Sequence, residues 1–212
     1  EGLIFAWKTG AMAVAVCFAG SAAVFRRRVG KLPLCSDAAL LVLFEECKKE
    51  AGVKSGRICL RMGGNTPMLL GILRPAILIP EGYEREELRH ILLHELCHYK
   101  HKDVWINMLC CFLLSVYWFN PVLWLCFFVV RRDLELVCDY RVVELTGERK
   151  AYAEVLLKAA LKKNHFLFAT TSLQNGEKEV TKRIRSLAHF KKPKLWISAG
   201  AVILLKIGRA HV

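Results

Sequence analysis

The feature that most constrains the fold is the apolar block Val104 to Val130, broken once at Asn120-Pro121 and bracketed by Lys100/Lys102 and Arg131/Arg132. At about 1.5 Å per residue it is long enough to cross a bilayer as one helix. The residues on either side of it demand otherwise. Ahead of it lies His94-Glu95-Leu96-Cys97-His98, and beyond it Glu135-Leu136-Val137-Cys138-Asp139. Helix residues four apart share a face, so His94 and His98 can turn both imidazoles toward one metal ion, with Glu95 beside them as base. A catalytic zinc takes three protein ligands and keeps a fourth position open. Glu135 is the favoured third ligand. His101, one turn beyond His98, is the alternative but would crowd the same helix. For Glu135 to reach His94 and His98, both ends of the apolar block must lie on one side of the membrane. The block is therefore expected to turn back at Asn120-Pro121, as a hairpin dipping into the bilayer or as a helix pair buried under the site.

Asp139 follows Glu135 by four residues and shares its helix face, where it can accept a hydrogen bond from a ligand histidine and set its tautomer. Zinc lowers the pKa of its water to about 7, and Glu95 can take that proton and return it to the leaving amine of a peptide. Tyr83, Tyr99, Tyr140 and His165 are candidate donors to the oxyanion, none singled out by spacing. Each piece has an ordinary reading when taken singly: histidines on an exposed helix face, a solvated acidic edge, a cysteine used for packing. Their joint occurrence, with a topology that returns Glu135 to the same side, favours the metal site. His90 and His101 read as surface residues or as supports for the ligands.

Composition fits a membrane protein with one globular portion: 54% hydrophobic residues gathered in blocks, with 32 Lys+Arg against 19 Asp+Glu. The net charge of +13 comes from basic residues beside the apolar blocks, which suits anionic lipid better than nucleic acid. Nine cysteines form no C-x-x-C pair and include the adjacent Cys110-Cys111, so they read as reduced, buried packing residues.

Along the chain, residues 1–28 read as a transmembrane helix entered partway, ended by Arg26-Arg27-Arg28 on the cytoplasmic side. Residues 29–194 then form a cytoplasmic zinc domain containing the 104–130 hairpin, 195–206 begin a further membrane helix, and 207–212 read as a non-native tail. Ser36 to Glu50 is expected to be an amphipathic helix capped by Ser36 and stopped by Gly52. Short apolar pieces at 57–62, 68–70 and 74–79 read as a small sheet. Pro75 and Pro80 mark Ala76, Ile77, Leu78 and Ile79 as an edge strand able to hold an extended peptide substrate. The metal helix begins at Glu84, residues 133–147 and 152–163 form further helices, and 165–182 reads as loop. The fold class is α+β, mainly helical.

Four motifs in order, namely the run Leu70 to Pro80, His94 to Asp103, Trp118-Phe119-Asn120-Pro121 and Glu135 to Asp139, resemble the BlaR/MecR-type membrane metallopeptidases, antirepressor-like beta-lactam sensor-transducers of bacteria. The resemblance covers roughly residues 1–205. It implies a gluzincin-like zinc metallopeptidase domain flanked by transmembrane helices in the bacterial inner membrane. In it, Zn2+ would be held by His94, His98 and Glu135, Glu95 would be the acid/base and Asp139 a supporting residue. The implied partners are a protein substrate (a transcriptional repressor or the chain itself), the lipid bilayer and a second copy of the chain, with no direct nucleic-acid contact. Self-cleavage would be sought at 174–192, around Lys182-Arg183. The alternatives are a housekeeping membrane protease of the HtpX or prenyl-protease type and a metal-binding receptor that does not hydrolyse.

Overall fold

A computed structural model of the chain describes residues 1–54, 58–64, 66–71, 74–164 and 173–189. The expected membrane segment at 195–206, the tail 207–212 and the candidate donor His165 lie outside them.

Small and apolar residues with no interior proline make α1 (Gly2–Gly30) one continuous helix, and Arg27 and Arg28 in its last turn complement the helix dipole. It is long and apolar enough to cross a membrane, and none of its most apolar stretch is buried in protein. Helix α2 (Ala38–Ala51) is capped by Asp37, whose carboxylate accepts from the amides of Ala39 and Leu40, and it ends at Gly52 in the left-handed region. Asp37, not Ser36, is thus the cap.

The sheet comprises β1 (Cys59–Met62), β2 (Met68–Leu70) and β3 (Ala76–Ile79), in the order β1-β3-β2. The expectation of an edge strand at Ala76, Ile77, Leu78 and Ile79 is corrected here. β3 is central, parallel to β1 and antiparallel to β2, and all four of its residues are buried. Its backbone groups already serve two neighbours, so it has no free edge for a peptide. Pro75 and Pro80 lie just outside the paired residues and take no bond from the ladder. The carbonyl of Pro75 even accepts from the amide of Cys59 at 3.1 Å.

Helix α3 (Arg85–His101) opens with a reciprocal capping box between Glu84 and Glu87 and carries Glu86 and Glu87 in its first turn. Its apolar stripe packs onto the sheet and α2, with Leu92, Leu93 and Leu96 essentially inaccessible. Lys102 then takes a left-handed conformation, φ 60°, which ends α3 and starts α4 (Asp103–Val116). The chain turns at Tyr117 to Asn120, where the Asn120 side chain accepts from the Val122 amide and Pro121 occupies the first helical turn.

The next helix, α5, runs without a break over Pro121–Thr146, so the apolar half of the block and the expected 133–147 helix are one rod. Helix α6 covers Arg149–Asn164 and α7 covers Leu173–His189, so part of the segment read as loop is helical. The core joins α2, the sheet, α3, the end of α5 and α6, with Leu187 of α7 at its margin. α1 lies outside this core and packs on α4. There the Trp7 indole donates to the Val116 carbonyl at 2.9 Å, and Trp118 lies so close to Gly10 that a Cβ would run into its ring.

Candidate metal centre

Helices α3 and α5 pack together and bring His94, His98 and Glu135 to one point. The two Nε2 atoms are 3.0 Å apart, and the Glu135 carboxylate oxygens lie 3.4 Å from His94 Nε2 and 3.7 Å from His98 Nε2. Ligands at about 2.0–2.1 Å on a tetrahedral ion would stand about 3.3 Å apart. Two imidazole nitrogens and one carboxylate also match the chemistry of a catalytic zinc set, so these residues fit the ion. Glu95 is buried in α3 beside them. His101, the alternative ligand, lies instead with Cys97 and Cys138.

The partners of the outward nitrogens explain why both Nε2 atoms face inward. His98 Nδ1 donates to Asp103 Oδ2 at 2.6 Å, and the turn at Lys102 is what swings Asp103 beneath it. His94 Nδ1 donates to the Tyr152 hydroxyl at 2.8 Å, and that hydroxyl donates to Asp139 Oδ1 at 2.6 Å. With Nδ1 of each ring engaged, Nε2 is the nitrogen that each ring turns toward Glu135, and loss of its proton frees it to ligate a cation. Asp139 therefore reaches His94 mainly through Tyr152. Its direct separation from His94 Nδ1 is 3.4 Å.

Arg183, from α7, closes the far side. Its guanidinium forms a bidentate pair with Asp139 at 2.6 and 2.7 Å and lies 2.9 Å from Glu135. Burial works against charge on Arg183, but Asp139 and Glu135 outweigh it and keep the group protonated. For Glu135, too, burial opposes ionisation. The hydrogen bond with His94 and the positive charge of Arg183 prevail and hold the carboxyl well below the usual range. Burial disfavours the imidazolium of His98, yet Asp103, Glu95 and Glu135 push it up to about 9, so a cation taken up below that pH displaces a proton. Burial and then Asp139 raise the Tyr152 phenol well above its ordinary value, keeping its proton in the chain of hydrogen bonds.

Sequence reasoning assigns Asp103 and Tyr152 no role in the site and names Arg183 only in a candidate cleavage pair. Asp103 alone had a signal, a carboxylate just past the His98 helix. His90, read as a surface residue or a support for the ligands, takes the second role: it is buried, donates to the Glu86 carbonyl at 2.9 Å and stacks on Tyr152. Of the candidate oxyanion donors, Tyr83 packs under Lys158 and Tyr140 lines a cavity behind the cluster. The Lys182-Arg183 pair lies inside α7 with Arg183 tied down, a poor geometry for cleavage, which takes an extended chain.

A metal-ready cluster in a chain that also carries a long, unburied apolar helix defines a membrane-associated protein with a metallopeptidase-like fold. The chain belongs to the family described as BlaR1 peptidase M56, whose pattern matches residues 1–187. It is similar to the regulatory protein BlaR1 of Bacillus licheniformis, 30% identical over 195 residues that make up 85% of this chain and 32% of that protein. The methicillin resistance mecR1 proteins of Staphylococcus aureus and Staphylococcus epidermidis are 29% identical over 132 residues, 58% of this chain and 23% of theirs. The chain thus spans about a third or less of the length of the curated relatives it matches.

Proposed function

We propose that the chain is the membrane-embedded zinc endopeptidase part of a bacterial signal transducer. It cleaves a cytoplasmic repressor-like protein, itself, or both, in response to an outside signal such as a beta-lactam. The observation that carries this reading is the convergence of His94 Nε2, His98 Nε2 and the Glu135 carboxylate, with both outward ring nitrogens already engaged. The relatives' names, a regulatory protein and methicillin resistance proteins, support the signalling role.

In this reading the fold is gluzincin-like, α1 crosses the inner membrane, the α4–α5 turn dips into it, and the site faces the cytoplasm. His94, His98 and Glu135 would hold Zn2+, which supplies Lewis acidity toward a peptide carbonyl and acidifies a water to about pKa 7. Glu95 takes the proton of the attacking water and delivers it to the leaving amine. Asp103 and the Tyr152–Asp139 pair hold the two imidazoles in the required tautomer, and Arg183 holds Glu135 in place between α5 and α7.

The test is metal analysis together with fragment mapping of the membrane-inserted chain and a co-expressed repressor. His94→Ala is expected to lose zinc and cleavage together, and Glu95→Gln to keep zinc while losing cleavage. Repressor release that survives Glu95→Gln but not His94→Ala would make the site structural and overturn hydrolysis.

A further inference from the structure

Beside the proposed zinc ligands lies a second set of donors with different chemistry. Cys97 and His101 stand four apart on α3 and so share a face, and Cys138 of α5 meets them there. The three donor atoms all lie within 4.8 Å of one another, with Cys97 Sγ 3.5 Å from His101 Nδ1. On a tetrahedral ion with metal–sulfur and metal–nitrogen distances of about 2.3 and 2.0–2.1 Å, a sulfur and a nitrogen stand about 3.6 Å apart. Cys97 and Cys138 are buried. His101 is exposed and, with Cys97, lines a cavity of about 330 Å³ that gives a cation a way in and leaves room for a fourth ligand.

We propose that Cys97, Cys138 and His101 form a second metal site, selective for thiophilic d10 cations such as Zn2+ or Cd2+. Thiolates favour these ions, whereas the His94, His98 and Glu135 set offers no sulfur. Binding a divalent cation releases both thiol protons to solvent, and two thiolates with a neutral imidazole leave the site uncharged. The site touches the first one. Cys138 Sγ lies 3.3 Å from His98 Nδ1 and 3.8 Å from Asp103 Oδ2, the pair that orients His98. A cation that draws Cys138 away therefore alters the surroundings of that hydrogen bond without touching zinc or substrate.

The test is Co2+ titration of the full chain in detergent with a non-thiol reductant, read by absorption. Only a sulfur ligand produces thiolate-to-cobalt charge transfer, so the two sites report separately. The wild type is expected to take two equivalents, one of them with the charge-transfer band. His94→Ala should keep the band and lose the other equivalent, and Cys97→Ser should do the reverse. Because a buried thiol variant can fail to fold, exposed His101→Ala provides a second arm, in which affinity of the banded equivalent should drop at least about tenfold. A wild type without the band, or a band unchanged in both Cys97→Ser and His101→Ala, overturns the site. Because His94→Ala removes only the first equivalent, failure of the catalytic reading and failure of this one give different results.

Discussion

The two ends of α5 live in different surroundings. Toward Thr146 it carries Leu134, Cys138, Val142 and Val143, all buried, the two valines in the core, with Glu135 and Asp139 among them. Toward Pro121 the same helix leaves Val122, Leu125 and Phe128 exposed, and neighbouring α4 leaves Trp105, Leu109 and Phe112 exposed. The residue types are alike, so apolar content alone does not tell a protein core from an exposed apolar face. The difference is in what surrounds them: polar groups tied into pairs at one end, and a continuous apolar face too large for an ordinary soluble surface at the other.

Four substitutions probe this difference, each measured in detergent. Arg183→Ala should have the largest effect, lowering stability by about 3–5 kcal/mol in chemical denaturation, because Asp139 is left buried without its partner. If the loss is under about 1 kcal/mol, α7 is not part of the packed end. Leu92→Ala should cost about 2–5 kcal/mol by creating a cavity where the side chain is inaccessible. Tyr152→Phe keeps the ring but breaks the link from His94 to Asp139, and should weaken zinc binding about 10–100-fold in a competition assay. Phe112→Gln should change stability by no more than about 0.5 kcal/mol, since its ring touches solvent or lipid and not the core. A loss as large as that of Leu92→Ala would mean that the two ends do not differ.

Local pattern carried much of this organisation. The spacing of His94, Glu95 and His98, the Asn120-Pro121 break and the Gly52 and Gly147 stops all mark positions where the backbone does what those residues favour. The pairing of Glu135 with the histidines could be reasoned from the need for a third ligand. Strand order could not be, because which neighbour a strand chooses is a long-range matter. Prolines at the ends of Ala76–Ile79 look alike whether they flank an edge or a centre. Tyr152 and Arg183 sit on helices with no periodic relation to α3, so only the packed fold brings them to His94 and Glu135. The cysteines are free, and Cys97 and Cys138 are buried, as their count and spacing suggest; that these two and His101 face one another is a fact of the packed fold alone.

The continuity of α5 has a mechanical corollary. From Pro121 to Glu135 the rod is about 21 Å long at about 1.5 Å per residue, with its first half clad in residues suited to lipid. A tilt of about 3° pivoting at the Asn120 turn displaces Glu135 by about 1 Å relative to α3, an error large enough to cost a catalytic site about 100-fold. On the proposed reading, in which the α4–α5 turn enters the bilayer and Glu135 holds the metal, bilayer thickness at one end of a single helix would be converted into ligand distance at the other.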